Sequence, residues 1–168
     1  FGEVQAVKKW MGLERDIEQP VDEHPRRPVE GFSCTRSEVS GRRLWGAIAQ
    51  RFHDPDHFFA DHYVANYCPL VFMEESGKNR TPDKLPKSES DSLYTACDEH
   101  LRSLVHALQP RWVVGVGKFA EQRAKEALGD RPVRVGVILH PSPANPAANR
   151  GWDLKALEQL RHQGVCDP

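Results

Sequence analysis

The sequence has no large excess of charge, no long apolar run and no internal repeat. Its 23 basic and 24 acidic side chains give a formal net charge of −1, so no global basic field indicates a nucleic-acid partner. A small basic face remains compatible with this balance. No apolar stretch approaches the roughly 18 residues of a membrane span, so we expect no membrane partner. We expect residues 1–168 to form a single domain.

Metal-binding patterns are also lacking. None of the four cysteines belongs to a CxxC pair; they are Cys34, Cys68, Cys97 and Cys166. This scatter is typical of reduced thiols and disfavours a zinc or iron–sulfur site. His53 and His57 have metal-ligand chemistry, but Pro55 between them disfavours the continuous helix that would align them. We therefore predict no metal and no cofactor.

Apolar periodicity predicts helices and strands that alternate along the chain. We predict helices at 3–11, 35–52, 88–108, 118–128 and 152–163, strands at 62–70, 111–117 and 133–139, and loops at 14–33 and 74–86. The second helix is predicted to open on a capping box formed by Thr35 and Glu38. Strands that alternate with helices are typical of a parallel sheet with crossover helices.

The predicted fold is therefore α/β, a three-layer sandwich whose central, mainly parallel four-stranded sheet is flanked by helices. Only three strands can be found in the sequence, and the chain opens at Phe1 with no methionine and no leading strand. A domain of this type normally begins with a strand that carries part of the site. We therefore expect the first strand to lie upstream of Phe1.

The segment from His140 to Asn149 is the most informative part of the chain. It follows an apolar run at 133–139 and contains the three prolines Pro141, Pro143 and Pro146, which make a stiff loop. A histidine at the carboxyl end of a parallel strand lies where open α/β folds bind ligands. The alternative is a histidine whose hydrogen bonds are satisfied by the backbone.

Two further strand ends carry candidate chemistry. The amide of Asn66 offers one acceptor and two donors, which fits the edge of a pyrimidine, although the residue could equally cap a turn before Pro69. Gly117 and Lys118 open a helix whose N-terminus could cradle a phosphate, or they could form only a tight strand-to-helix turn. The basic pair Arg42 and Arg43 could contact phosphates, but charge of this kind is usually solvated, and we interpret the pair as solvated surface charge.

Taken jointly, these patterns resemble the single-strand-selective monofunctional uracil-DNA glycosylases, members of the uracil-DNA glycosylase superfamily. The matching motifs are Asn66-x-Cys-Pro-Leu, His140-Pro-Ser-Pro-x-Asn-Pro-x-x-Asn-x-Gly-Trp, Phe1-Gly2-Glu3-Val4, Ser37-Glu38-Val39-Ser40-Gly41, Ser76-Gly77-x-Asn79 with Thr81-Pro82, and Val113-Val114-Gly115-Val116-Gly117. They occur in the family's order over essentially the whole chain.

The resemblance implies an enzyme that flips deoxyuridine out of DNA and hydrolyses the N-glycosidic bond, leaving an abasic site for base excision repair. The family it resembles also accepts some 5-oxidised uracils. Phe1 is expected to stack on the uracil, Asn66 to bind its N3–O4 edge, and His140 to stabilise the uracil anion through O2. The residues expected to contact DNA are Gly117, Lys118, Pro141, Ser142, Pro143, Ala144, Asn145, Pro146 and Asn149. Among these, the segment 141–149 would be the wedge that enters the duplex.

Two departures from the family accompany these expectations. Ala144 stands at the wedge position where vertebrate members typically carry a larger basic residue, so weaker duplex binding is expected. The family's water-positioning asparagine lies in a Gly-Met-Asn-Pro loop upstream of Phe1, so we expect the active protein to be longer. No lysine matches the attacking residue of a lyase, which favours a monofunctional hydrolase.

Two rival functions stay open at this point. One is a non-catalytic or truncated DNA-binding member of the same superfamily, and the other is a Cys–His hydrolase that uses Cys68 and His140. The expected partner is uracil-containing DNA, single- or double-stranded, bound by a monomer. The expected compartment is the nucleus in a eukaryote or the cytoplasm in a bacterium.

Overall fold

The computed structural model describes residues 2–166. It contains five α-helices, α1 (Val39–Phe52), α2 (Pro55–Phe59), α3 (Lys87–Leu108), α4 (Lys118–Leu128) and α5 (Trp152–His162). Its four strands are β1 (Phe72–Met73), β2 (Asn79–Arg80), β3 (Trp112–Val116) and β4 (Arg134–Ile138). A π-helical turn spans Ala6–Trp10, and 3-10 turns span Gly31–Ser33, Pro82–Lys84 and Pro146–Ala148.

The strands form two separate pairs. β3 and β4 run parallel, with Trp112 opposite Arg134 and Val116 opposite Ile138, and α4 is the helix that connects them. β1 and β2 form a short antiparallel pair. The structure therefore confirms the α/β class, whereas the predicted four-stranded sheet is not found among residues 2–166.

The predicted strand at 62–70 is wrong, since this segment has no strand pairing. Val64 does pack against the core cluster, as Val114 and Val116 of β3 also do, which accounts for its apolar character. A strand also needs a hydrogen-bonded neighbour, and among residues 2–166 the edge of β3 that faces away from β4 has none. Apolar character alone therefore misidentified an unpaired segment.

Helices cover both faces of the β3–β4 pair. Val114 and Val116 pack against the core cluster of Leu44 from α1, Ile138 from β4 and Ala148, Trp152 and Ala156 from the C-terminal segment. Gly115 points the opposite way, because alternate residues of a strand face opposite sides. A β carbon on Gly115 would lie 2.3 Å from the Glu121 nitrogen of α4. Glycine is therefore required for α4 to approach this close to β3.

Helix α1 is capped by Glu38 and not by the predicted capping box of Thr35 and Glu38. Helix α1 begins at Val39, because the Glu38 carboxylate accepts hydrogen bonds from the amides of Ser40 and Gly41 at 3.0 and 2.7 Å. Thr35 lies outside the helix, so the predicted capping box is wrong. Pro55 is the first residue of α2, as expected of a proline. Helix α4 has the predicted bounds.

Aromatic side chains attach the N-terminal segment to α1 and α2. The Trp10 ring lies 6.1 Å from Trp45 and 6.3 Å from Phe58, and its indole nitrogen donates to the His53 carbonyl at 2.9 Å. Phe58 in turn stacks on the His62 ring at 4.6 Å. No helix among the described residues is both long and apolar enough to cross a bilayer.

Candidate active site

His140 stands two residues beyond the end of β4, and α5 fixes the edge of that strand. The Gln163 side chain accepts from the Val137 amide at 2.9 Å and donates to the Val137 carbonyl at 2.8 Å. Gln159 accepts from the Leu139 amide at 2.7 Å, and the Trp152 indole donates to the Leu139 carbonyl at 2.7 Å. These side chains satisfy the free strand edge and hold the backbone that carries His140.

The His140 ring is half-buried and held in one neutral tautomer. Burial lowers the pKa of His140 below its ordinary value of 6.5, while the Glu38 carboxylate acts in the opposite direction. The Ser142 amide donates to His140 Nδ1 at 3.1 Å, so Nδ1 carries no proton. In the neutral ring the proton must then reside on Nε2, which is a hydrogen-bond donor.

Gly117 and Lys118 lie beside this histidine at the start of α4. The Gly117 amide donates to the Ile138 carbonyl at 2.8 Å, which continues the β3–β4 pairing up to the site. Gly117 has a φ of +96° and serves as the N-cap of α4. Lys118 is exposed at the helix N-terminus. The carboxyl ends of both parallel strands thus bring Gly117, Lys118 and His140 to one edge.

The segment 141–149, called here the wedge loop, is internally bonded. Pro141 and Ala148 are buried at its two ends, whereas Pro143 and Ala144 are exposed at its tip. The Ser142 hydroxyl accepts from the Ala144 amide at 3.2 Å. Asn145 makes further internal contacts: its side chain accepts from the Ala147 amide at 3.1 Å, and its carbonyl accepts from the Ala148 amide at 2.9 Å. The tip is therefore presented on a fixed base.

Arg43 of α1 joins the two ends of the wedge loop. Its guanidinium donates to the Pro141 carbonyl at 2.9 Å and to the Asn149 side-chain oxygen at 3.0 Å. The Asn149 amide nitrogen in turn donates to the Pro143 carbonyl at 3.1 Å. The interpretation of Arg43 as solvated charge is therefore wrong. No local signal distinguishes it from Arg42, which is exposed and bonds Ser37 at 3.1 Å.

Asn66 lies on the unpaired segment that follows α2. It is exposed, and within residues 2–166 its side chain makes no hydrogen bond. Its amide is thus available to a ligand. The contacts described for residues 2–166 bring Gly117 to His140, but they include none between Asn66 and His140. Phe1, the predicted stacking residue, lies outside the described residues.

Tyr67 anchors the backbone next to Asn66 to α3 and α4. The Tyr67 hydroxyl donates to Asp98 of α3 at 2.6 Å and accepts from Arg123 of α4 at 2.9 Å. Arg123 and Asp98 also form an ion pair at 2.6 Å, and the Arg123 guanidinium lies 4.7 Å from the Tyr94 ring centre. Burial, together with the hydrogen bond to Asp98, raises the pKa of Tyr67, so its hydroxyl stays protonated at neutral pH.

The structure gives no support to Cys68 as a nucleophile. The Cys68 thiol contacts the Leu70 carbonyl at 3.9 Å and neighbours Cys97 of α3, whose pKa burial raises to about 11. None of these contacts aligns Cys68 with a base, as a Cys–His hydrolase requires. Within residues 2–166, no group of three or more His, Cys, Asp or Glu side chains is arranged to hold a metal ion.

Comparison with known families gives the class of this site. The sequence profile described as the uracil DNA glycosylase superfamily matches residues 19–161, which is most of the chain. The chain belongs to the uracil DNA glycosylase superfamily. This confirms the relationship predicted from the His140 and Asn66 motifs.

Two mammalian proteins are similar to this superfamily member over nearly the whole of its chain. A rat protein named single-strand selective monofunctional uracil-DNA glycosylase is 46% identical over 167 residues, which cover 98% of the chain and 60% of the rat protein. A bovine protein of the same name is 45% identical, with 98% of the chain and 61% of the relative covered. The superfamily member described here thus spans about 60% of the length of the curated relatives it matches.

Proposed function

We propose that the protein is a monofunctional uracil-DNA glycosylase that hydrolyses the N-glycosidic bond of deoxyuridine in DNA and leaves an abasic site. The observation that carries this proposal is the neutral His140, whose Nδ1 accepts from Ser142 and whose Nε2 therefore bears the donor. The names of the rat and bovine relatives describe the same activity in those proteins.

His140 is the catalytic residue of this proposal. As the glycosidic bond breaks, negative charge develops on the uracil, and a donor fixed beforehand stabilises that charge without reorganising. His140 supplies it from Nε2 to the uracil O2, while the sugar acquires oxocarbenium character. The Ser142 amide keeps the ring in this tautomer. Removing a donor of this kind costs about 10²–10³-fold in rate.

Asn66 is the residue we assign to base selection. Its exposed amide can donate to O4 and accept from N3–H of uracil. Cytosine presents the reverse pattern at both positions, and each unpaired polar group costs about 1–3 kcal/mol. Tyr67, held between Asp98 and Arg123, keeps the adjoining backbone in place. Phe1 is proposed as the aromatic surface on which the uracil stacks.

The wedge loop is proposed to enter the duplex and keep the base extruded. An enzyme of this kind cannot reach the glycosidic bond inside the stack, so the nucleotide must be flipped. Exposed Pro143 and Ala144 supply apolar side chains of the type that enter base steps. Gly117 and Lys118 at the N-terminus of α4 are proposed to contact a phosphate. The remaining proposed DNA contacts are made by Pro141, Ser142, Asn145, Pro146 and Asn149.

The rest of the assignment follows from this activity. The partner is uracil-containing DNA, and the protein acts as a monomeric single domain without a cofactor. Genomic repair implies the nucleus in a eukaryote and the cytoplasm in a bacterium. For the complete protein we propose a four-stranded, mainly parallel sheet. Its support is the unpaired edge of β3 within residues 2–166 and the packing of Val64 against the same core cluster as Val114 and Val116 of β3.

Strand cleavage at a single uracil tests the activity. An end-labelled oligonucleotide with one uracil, single-stranded or paired with guanine, is incubated with the protein expressed from its complete coding sequence and then treated with hot alkali. We expect breaks at uracil and none at cytosine in a matched control oligonucleotide. His140→Asn should lower the rate about 10²–10³-fold. His106→Asn, at an exposed histidine of α3, should leave it unchanged.

The rival function predicts a different result from the same experiment. A non-catalytic member binds uracil-containing strands but yields no alkali-sensitive sites, and small Ala144 at the loop tip is the feature that favours it. Binding without strand breaks would therefore mean that the protein recognises uracil-containing DNA but does not hydrolyse it. Neither binding nor breaks, from a folded protein, would overturn both functions.

A further inference from the structure

Arg43 makes contacts that its neighbours on α1 do not. One guanidinium nitrogen donates to the carbonyl of Pro141, the residue that directly follows His140, and the other donates to Asn149 at the far end of the wedge loop. The Asn149 side-chain nitrogen in turn donates to the Pro143 carbonyl near the tip of the loop. A single side chain therefore ties the beginning and the end of the loop to α1 and, through Asn149, reaches its exposed part.

The geometry of these contacts requires an arginine. Nη1 and Nη2 point to two different acceptors at once, which a planar guanidinium achieves with two fixed donors. A lysine at the same position has the same charge but only one ammonium group, so it cannot hold both acceptors in the same way. Charge and bidentate geometry can thus be separated by one substitution.

We propose that Arg43 is a positioning residue that holds the wedge loop in the conformation needed to extrude uracil from double-stranded DNA. This inference rests on the proposed glycosylase function. A loop that replaces a stacked base must keep its shape against the closing duplex. A single strand offers no such resistance, so Arg43 governs activity on duplex more than activity on single strands.

The consequence is a difference between substrates rather than a uniform loss. In duplex DNA, a loop displaced by about 1 Å misplaces the wedge, and such a misplacement can cost about 10²-fold in rate. On a single strand the base is already accessible, so the remaining contacts suffice. Arg43 acts through the loop and is not itself assigned a contact with uracil.

Three variants test the proposal. Arg43→Lys keeps the charge but removes the bidentate contact, and Asn149→Ala removes the same connection from the loop side without changing charge. Arg42→Lys is the matched control, because Arg42 adjoins Arg43 on α1, is exposed and, within residues 2–166, bonds through its side chain only to Ser37. Single-turnover excision is measured on single-stranded uracil and on a uracil–guanine duplex, at two salt concentrations.

We expect Arg43→Lys and Asn149→Ala to slow excision from duplex about 10- to 100-fold, with a much smaller effect on single strands. The melting temperature and the salt dependence should change little, and Arg42→Lys should behave as wild type on both substrates. An equal loss on both substrates would overturn the proposal. So would full activity of Arg43→Lys, which would mean that Arg43 contributes only charge to a phosphate contact.

Hydrogen exchange of the free protein provides a test that does not depend on activity. The Asn145 and Ala148 amides are bonded within the loop, to the Ser142 and Asn145 carbonyls. In Arg43→Lys and Asn149→Ala, but not in Arg42→Lys, these two amides should exchange faster. Unchanged exchange would overturn the proposal whether or not the protein excises uracil. Absence of excision by the wild type would instead remove the proposed function.

Discussion

Gly117 and His140 lie in direct contact, and only a glycine at position 117 allows it. A β carbon built on Gly117 would lie 3.0 Å from the β carbon and 3.3 Å from Cδ2 of His140. Gly117 also has a φ of +96°, a conformation that side chains other than glycine rarely adopt. The start of α4 and the proposed catalytic ring are therefore packed on each other.

Replacement of this glycine should impair excision by moving the histidine. In Gly117→Ala the new methyl group displaces His140, so we expect the excision rate to fall by about 10²-fold, as for other small misplacements of catalytic groups. Gly129→Ala is the control, because Gly129 also has a positive φ of +53° but has nothing within 4 Å of the added carbon. Single-turnover assays should show a normal rate for the control. Equal rates for the two variants would contradict the role given to this contact.

The pH profile should report the neutral state of His140. Because burial lowers its pKa below 6.5, the acid limb of excision that reports this group should be centred below pH 6.5, and the rate should not depend on the group at neutral pH and above. Protonation of Nδ1 would also break the bond from Ser142. The measurement is kcat/KM against pH for wild type and for His140→Gln, in which the acid limb should disappear. An acid limb centred above 6.5 would argue against a neutral donor.

Stability should follow the same sign. The folded-state pKa of His140 lies below the unfolded-state value, so the unfolded chain binds the proton more readily. The free energy of unfolding therefore keeps its full value well above pH 6.5 and decreases as the pH falls through 6.5 towards the folded-state pKa. The difference in free energy of unfolding between wild type and His140→Gln, measured in urea, should therefore shrink on acidification. A difference that grows would contradict this sign.

Arg123 should be far more important to stability than other ion-paired residues of α4. Its side chain is 17% exposed and that of Asp98 is 15% exposed, so Arg123→Met leaves a largely buried carboxylate without a cation. Loss of one partner of such a pair typically costs about 3–5 kcal/mol in the free energy of unfolding. Lys125→Met, which breaks only the surface pair with Glu121, should cost no more than about 1 kcal/mol. Equal losses of the free energy of unfolding for the two variants, measured in urea, would contradict the argument from burial.

Enlargement of Ala144 should strengthen binding to duplex. Ala144 is exposed at the tip of the wedge loop, so a longer side chain meets no protein there. We expect Ala144→Arg to lower the Kd for duplex that contains an abasic site, because the longer side chain fills more of the vacated stack and adds a positive charge. Affinity for single strands should change less, since no stack has to be filled. Fluorescence anisotropy measures both, and unchanged duplex affinity would contradict the wedge assignment.

Elements that depend on local chemistry could be predicted from the sequence. Apolar runs with flanking glycines predicted β3 and β4, and helical spacing of apolar residues predicted α4, nearly residue for residue, since these signals act within a few positions of the chain. The His140 motif also gave the superfamily, which the profile match confirms. The roles predicted for Phe1, Asn66 and His140 stay predictions that the proposed experiments test.

Features that depend on residues far apart in the chain become visible only in the folded protein. Residues 62–70 have the composition of a strand but no neighbour to pair with among residues 2–166. A strand requires hydrogen bonds to a second strand elsewhere in the chain, and the local sequence does not show whether that strand is present. Arg43 meets Pro141 and Asn149 across 98 and 106 residues, so only folding distinguishes it from exposed Arg42. The donor nitrogen of His140 was decided in the same way, since its tautomer depends on where the folded loop points the Ser142 amide.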